Sequence, residues 1–337
     1  MSWKSIKVSR LELDIGFIFT SGQNFLWKLT NSVEGEWTGV ISGNLINLKQ
    51  DDDTLFYRLN ATNNPSMLKN SDKLLPILED FFQLNLLNLQ VEYESWKQKD
   101  SNFKLKSVKL DGLRMLRQDP LENCFSFICS SNNNVKRITK MLNSLCQIYG
   151  EPIGEEYEGH QFYTFPDVKK LTPDSVEKKL RELGFGYRAK YINQAAKLIH
   201  AKNLELKESW LHTLRSLPYE EVHNALIEIP GVGPKVADCI CLMSMDKHEA
   251  IPIDTHIWQI ATKDYKLITG KTKTLTKSNY TLISNHFRNL WGPYAGWAHS
   301  VLFTYKMNNM EKDEAPPSKK VKIEKVKVEV KEEIKEE

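Results

Sequence analysis

Two residues in this chain have the types and spacing of a nucleophile with a charge-stabilising partner. Lys235 follows Pro230-Gly231-Val232-Gly233-Pro234, and Asp254 lies in Ile253-Asp254-Thr255-His256, nineteen residues further on. A neutral lysine amine can add to a sugar C1′ and hold it as a Schiff base. The first turn of a helix is a poor place for a charged lysine, because the helix dipole is positive there. Cys239, one turn on, would partly shield the amine from water, which again favours the neutral form. A facing carboxylate can stabilise the positive charge that grows on a sugar as its glycosidic bond breaks. Both residues also have plainer readings. Lys235 could simply hold a phosphate, and Asp254 stands where a helix N-cap is expected. One carboxylate can do both jobs.

The elements that must carry this pair are legible around it. Pro218 suits a first helical turn, and Val222, Ala225, Leu226 and Ile229 follow a helical stripe. Gly231 and Gly233 supply the dihedrals of a tight reversal and let another backbone approach closely. Pro234 then opens a second helix with Val236, Ala237, Ile240 and Cys241 facing inward. Residues 218–244 thus read as a helix–hairpin–helix whose free N–H groups could seat a phosphate. An ordinary corner between two helices is the alternative.

The rest of the chain reads as α+β. Residues 1–115 form an antiparallel β domain of short apolar runs (11–19, 25–29, 37–41, 45–48 and 55–59) with a helical insert near 74–82. From Pro120 to Tyr305 the periodicity is helical, with breaks at 132–134, 150–159, 184–186 and 230–234, so residues 116–310 form helical domains. Residues 311–337 lack aromatic residues and are dense in charge, and read as a disordered tail. Within it, Pro316 to Lys322 is similar to a nuclear import signal. An aliphatic–Lys–x–Glu pattern recurs at Lys322, Lys327, Lys331 and Lys335, resembling attachment sites for a small ubiquitin-like modifier.

Composition narrows the function classes. The 337 residues carry a net charge of +3, and residues 1–310 hold 38 basic against 34 acidic residues, which permits a basic groove without proving one. No apolar run reaches membrane-spanning length, and the N-terminus is a poor signal peptide. Five cysteines without a C-x-x-C fit free thiols and exclude a locally spaced zinc knuckle or iron–sulfur loop. No exposed heptad is present, so a monomer is expected.

These residues resemble the helix–hairpin–helix DNA glycosylase superfamily, and Lys235 marks its bifunctional branch. The segments SGQNFLW (21–27), RQDPLENCFSFICSSNNN (117–134), LGFGYRAKY (183–191), PGVGPKVADCICLM and LWGPYAGWAHSVLF (290–303) narrow the resemblance to eukaryotic 8-oxoguanine DNA glycosylases, from about Leu11 to Tyr305. The resemblance implies a TATA-binding-protein-like antiparallel β domain, two helical domains, and a flipped base between the latter. It implies Lys235 as Schiff-base nucleophile and Asp254 as catalytic carboxylate. It also implies Gly22 as the carbonyl that reads N7–H of the lesion, and Cys239 and Phe303 as the walls around the base. Asn132 and Tyr187 become wedges in the DNA stack, Arg137 and Arg188 the donors to the orphaned cytosine, and His256 a phosphate contact. A hairpin metal on the carbonyls of Ile227, Ile229 and Val232 would be structural; no cofactor is required.

The partner implied is double-stranded DNA containing an 8-oxoguanine:cytosine pair, in the nucleus and also in mitochondria. The family's glutamine is replaced by His299, whose imidazole presents donor and acceptor on opposite sides of the ring. That places the reading of the base's Watson–Crick edge in question. The competing readings are a related glycosylase with another lesion preference and a catalytically inactive hairpin protein that only grips DNA.

Overall fold

The computed structural model describes residues 2–268 and 275–314. Five strands, Lys4–Lys7 (β1), Lys28–Asn31 (β2), Glu36–Ile41 (β3), Asn44–Gln50 (β4) and Thr54–Thr62 (β5), form one antiparallel sheet in the order β1-β5-β4-β3-β2. Turn chemistry sets the register. Ser42 and Gly43 join β3 to β4 with φ of 49° and 71°, the two left-handed positions of a tight two-residue hairpin. Trp37 then faces Leu48, and Val40 faces Leu45. Along β5, Leu55, Tyr57 and Leu59 are buried and their neighbours are half-exposed, the period of a strand with one face on a core.

The sheet's other face is partly covered from the helical half. Leu45 packs there against Ile153 and Phe162, which belong to a hairpin of Pro152–Tyr157 (β6) and His160–Tyr163 (β7) turned by Glu158 and Gly159, φ 48° and 73°. The helical reading of residues 120–305 holds apart from this hairpin, which begins in the expected break at 150–159 and runs on to Tyr163. The hairpin is stabilised by burial beside a distant strand, which local periodicity does not encode.

The reading of residues 1–115 as mostly β also needs correction. The apolar run 11–19 folds as a helix, Ile15–Thr20, with Asp14 accepting from the Phe17 N–H at its N-cap. Ile15, Ile18 and Phe19 are the buried residues, at helical spacing. A short apolar run fits strand and helix equally, and the cap decides. Phe25 and Leu26 precede β2 rather than joining it. The expected insert is the helix Leu74–Phe81, and two further helices, Leu89–Lys99 and Ser101–Lys106, are capped by Asn88 and Asp100.

In the helical half, Pro120–Ser130, Val135–Tyr149, Arg188–Leu206, Tyr219–Ile227, Pro234–Ser244, Thr255–Lys263, Lys277–Trp291 and Ala295–Glu314 surround a core continuous with the sheet's inner face. Every residue from Val236 to Ser244 is buried, so Pro234–Ser244 is a central helix anchored on all sides. Arg114, 1 % exposed, ties the N-terminal half together by donating to the carbonyls of Glu12, Gln83 and Leu87, and Trp96 Nε1 reaches the helical half by donating to the Trp291 carbonyl at 3.1 Å. The helix Ala295–Glu314 runs through the first four residues of the expected tail. The import-like segment and the four Lys sites lie outside the described residues. No helix among the described residues is long and apolar enough to cross a membrane.

Gly39 in β3 lies under the Trp27 indole; a Cβ there would fall 2.3 Å from Trp27 Cδ2. Gly39→Ala should therefore destabilise the fold by about 1–3 kcal/mol through overpacking, read as a lower urea midpoint. An unchanged midpoint would show that the indole moves freely.

Candidate active site at the hairpin

The chain reverses between the helices Tyr219–Ile227 and Pro234–Ser244 at Gly231, φ 90°. A Cβ on Gly231 would meet Tyr191 Cβ at 2.8 Å and Cγ at 2.9 Å, so both the dihedral and the close approach require glycine. Gly233 is the N-cap and offers no side-chain cap. The first-turn N–H groups of Lys235 and Val236 thus have no capping side chain, an arrangement suited to an anionic oxygen.

Lys235 is half-buried in that first turn, its Nζ 5.4 Å from the Phe127 ring centroid. Beside it, burial pushes the Cys239 thiol up to about 11, against the opposing pull of Lys235, so Cys239 is a neutral thiol. Asp254 caps Thr255–Lys263: its Oδ1 accepts from the N–H groups of His256 and Ile257, each at 2.9 Å. Lys235 and Asp254 form no ion pair within 4.0 Å. Both nevertheless act electrostatically on Cys239 and on His299, so the four share one neighbourhood.

Phe303 and Gly22 close this neighbourhood from opposite ends of the chain. A Cβ on Gly22, φ 80°, would fall 3.9 Å from Phe303 Cε1, and the His256 ring lies 6.1 Å from that of Phe303. The Gly22 loop is held by side chains that sequence reasoning missed. Gln23 donates to the Arg114 carbonyl and accepts from the Leu116 N–H, both at 3.0 Å. Asn24 donates to Gln118 Oε1 at 3.0 Å, and Gln118 donates back to the Gln23 carbonyl at 2.9 Å. The only sequence signal was an amide pair inside an otherwise apolar stretch.

His299 is 5 % exposed, and neither ring nitrogen makes a hydrogen bond of good geometry. His256 Nδ1 is likewise buried without a partner.

The expected DNA-contacting residues form a second group. Asn132 is exposed in the left-handed region, φ 48°. Tyr187 donates to the Ser131 carbonyl at 3.1 Å, and the Arg188 guanidinium packs 4.5 Å from the Tyr187 ring centroid. Arg188 is 2 % exposed and donates to the carbonyls of Ser131 and Asn132. It is neither a surface residue nor one that faces outward here; it holds the loop that carries Asn132. Arg137 is exposed and donates to the Gly184 carbonyl at 3.1 Å. The helix Pro120–Ser130 connects the two groups, with Phe127 against Lys235 and its C-terminal end leading into Ser131. Among the described residues no cluster of three or more His, Cys, Asp or Glu could hold a metal ion. At the hairpin, the Ile229 carbonyl accepts from the Val232 N–H at 3.0 Å, which leaves it a second lone pair.

Comparison with known proteins places this geometry. Residues 5–124 match the 8-oxoguanine DNA glycosylase N-terminal domain, and residues 125–284 match the HhH-GPD superfamily of base excision DNA repair proteins. N-glycosylase/DNA lyase OGG1 of Arabidopsis thaliana is 38 % identical, with 89 % of this chain and 79 % of that protein covered. The N-glycosylase/DNA lyase of Saccharomyces cerevisiae is 35 % identical, with 90 % and 86 % covered. Among solved structures, Clostridium acetobutylicum 8-oxoguanine glycosylase/lyase in complex with double-stranded DNA containing cytosine opposite 8-oxoguanine superposes with a TM-score of 0.74. It is 27 % identical, covering 92 % of this chain and 99 % of that one. MBOgg1 in complex with a low-affinity DNA ligand gives 0.74 and 28 %, covering 92 % and 100 %.

Burial pushes the His299 imidazole down to about 4 from its ordinary 6.5; Lys235 adds to this, while Asp254 and the Pro252 carbonyl oppose it. Between those values the unfolded chain binds a proton that the folded ring refuses. Stability should therefore fall as pH drops from 6.5 towards 4. In urea titrations across that window, His299→Gln should flatten the slope; an unchanged slope would place the acid sensitivity elsewhere.

Proposed function

The chain belongs to the 8-oxoguanine DNA glycosylase family of helix–hairpin–helix base excision repair proteins, and we propose on that premise that it is a bifunctional glycosylase and AP lyase removing 8-oxoguanine opposite cytosine. One observation carries the chemistry: an amine in the first turn of a fully anchored helix shares its surroundings with a carboxylate that is held away from it.

In this reading Lys235 adds through Nζ to C1′ as the C1′–N9 bond breaks. The base departs with the bonding electrons and takes up a proton, while Asp254 stabilises the cationic sugar. The amine loses a proton and the sugar ring opens, leaving an iminium at C1′. Loss of a C2′ proton then expels the 3′ phosphate by β-elimination, and water releases the enzyme. No step requires a cofactor. A cation on the carbonyls of Ile227, Ile229 and Val232 would serve docking alone.

The lesion differs from guanine by hydrogen on N7, which a carbonyl accepts and which guanine's lone pair repels. An unpaired polar group in such a pocket costs roughly 1–3 kcal/mol. The proximity of Gly22 to Phe303 supports the Gly22 carbonyl in that role, with Phe303 and the neutral Cys239 thiol as walls. Extrusion needs the vacated stack filled. The exposure of Asn132 and Tyr187 supports them as wedges, with Arg137 the readier donor to cytosine and Arg188 holding the loop. The half-buried His256, in the first turn of Thr255–Lys263, supports a polar contact with the DNA backbone. The protein acts as a monomer on duplex DNA, and the Pro316–Lys322 segment supports nuclear import, with mitochondria as a second location.

Borohydride added during reaction with an 8-oxoguanine:cytosine duplex should trap a covalent complex that Lys235→Gln abolishes. Asp254→Asn should keep the cap and the melting temperature while slowing excision by about 10²-fold. DNA binding without trapping by the wild type would instead identify an inactive hairpin protein. Separately, His299→Gln should change the ratio of single-turnover rates among lesions that differ at the Watson–Crick edge. Identical rates and lesion spectra would remove His299 from recognition.

A further inference from the structure

Asp238 lies on the same helix as Lys235, one turn deeper, and has no exposed surface. A carboxylate in so apolar a run, Val236-Ala237-Asp238-Cys239-Ile240, is costly to bury unless both oxygens are satisfied. Here both are. The Tyr219 hydroxyl donates to Oδ1 at 2.6 Å, and the Tyr280 hydroxyl donates to Oδ2. His223 Nε2 stands 3.9 Å from Oδ1, and Arg288 packs over the Tyr219 ring at 4.4 Å.

Packing alone would be better served by an apolar residue, because replacing buried charge with hydrocarbon is often stabilising. What the carboxylate adds is a link. The Tyr280 oxygen also accepts the Ile253 N–H at 3.3 Å and stands 3.3 Å from the Ile251 carbonyl. Ile253 immediately precedes Asp254. The segment 251–253 is buried yet pairs with no strand, so its backbone must find side-chain partners. A short polar path therefore runs from the Lys235 helix through Asp238, Tyr280 and Ile253 to Asp254.

We infer that Asp238, acting through Tyr280, is a positioning residue that sets the separation of Lys235 and Asp254. It touches no reacting atom. The helix N-cap fixes how Asp254 is oriented, and the Asp238–Tyr280 link fixes where the extended segment delivering it stands relative to the nucleophile. The inference rests on Lys235 and Asp254 being the reacting pair.

The test is Tyr280→Phe against Tyr265→Phe. Tyr265 is the matched control, because its hydroxyl donates to buried Asp100 at 2.6 Å in a separate cluster. Both variants lose one buried tyrosine–carboxylate bond and should melt at lowered temperatures, Tyr280→Phe at the lower because it also leaves the Ile253 N–H unpaired. Tyr280→Phe should lower the single-turnover excision rate by about tenfold or more at unchanged DNA affinity, since small displacements of reacting groups weigh heavily on rate. Tyr265→Phe should excise at close to the wild-type rate. Equal rates in Tyr280→Phe and wild type, or equal losses in both variants, would overturn the inference. If Tyr280→Phe does not fold, Asp238→Asn and Asp238→Ala carry the same test. The amide can still bond both tyrosines and should retain excision within about threefold, whereas alanine should lose about tenfold or more; equal rates would overturn it. A wild type that excises nothing would instead sink the underlying reading.

Discussion

Two backbone N–H groups, those of His256 and Ile257, hold the Asp254 carboxylate at 2.9 Å each, and the chemistry of the site depends on that hold. Lys235 and Asp254 form no ion pair within 4.0 Å. The cap engages Oδ1 with both N–H groups. It leaves negative charge near Lys235 without a contact that consumes the amine. Because the cap is also a helix start, the same bonds that stabilise Thr255–Lys263 set the electrostatics of the reacting centre.

The remainder of the architecture brings distant parts of the chain to that pair and keeps them there. Lys235 sits on a helix buried from Val236 onward, so its backbone cannot shift without disturbing the core. Gly22 arrives from a loop beside the sheet, and its position is inherited from the Gln23, Asn24 and Gln118 amides. The N-terminal half thereby supplies part of a neighbourhood whose proposed reacting pair lies wholly in the helical half. His299 is a buried imidazole among charged neighbours, with the Pro252 carbonyl beside it and no hydrogen bond of good geometry. A group so placed gains its hydrogen bonds only when something enters.

What was legible in the sequence was local. The reversal at Gly231 and Gly233, Pro234 opening the second helix, and Asp254 as a cap each follow from the dihedrals or hydrogen bonds of a few consecutive residues. What was not legible depended on partners far along the chain. Ile15–Thr20 was ambiguous because a run so short has no decisive period, and the β6–β7 hairpin exists because Leu45 offers it a surface. The partners that satisfy Asp238 in its apolar helix, Tyr219 and Tyr280, lie 19 and 42 residues away along the chain. Arg188 likewise has partners that its local motif does not show, its guanidinium donating to the carbonyls of Ser131 and Asn132.

The central claim is that one particular amine becomes bonded to the sugar. The direct measurement is to reduce the reaction of the full chain with an 8-oxoguanine:cytosine duplex, digest protein and DNA, and locate the sugar adduct by mass spectrometry. The account predicts a single modified peptide carrying the adduct on Lys235. An adduct on Lys247, on another lysine or on the N-terminal amine, with Lys235 unmodified, would contradict it.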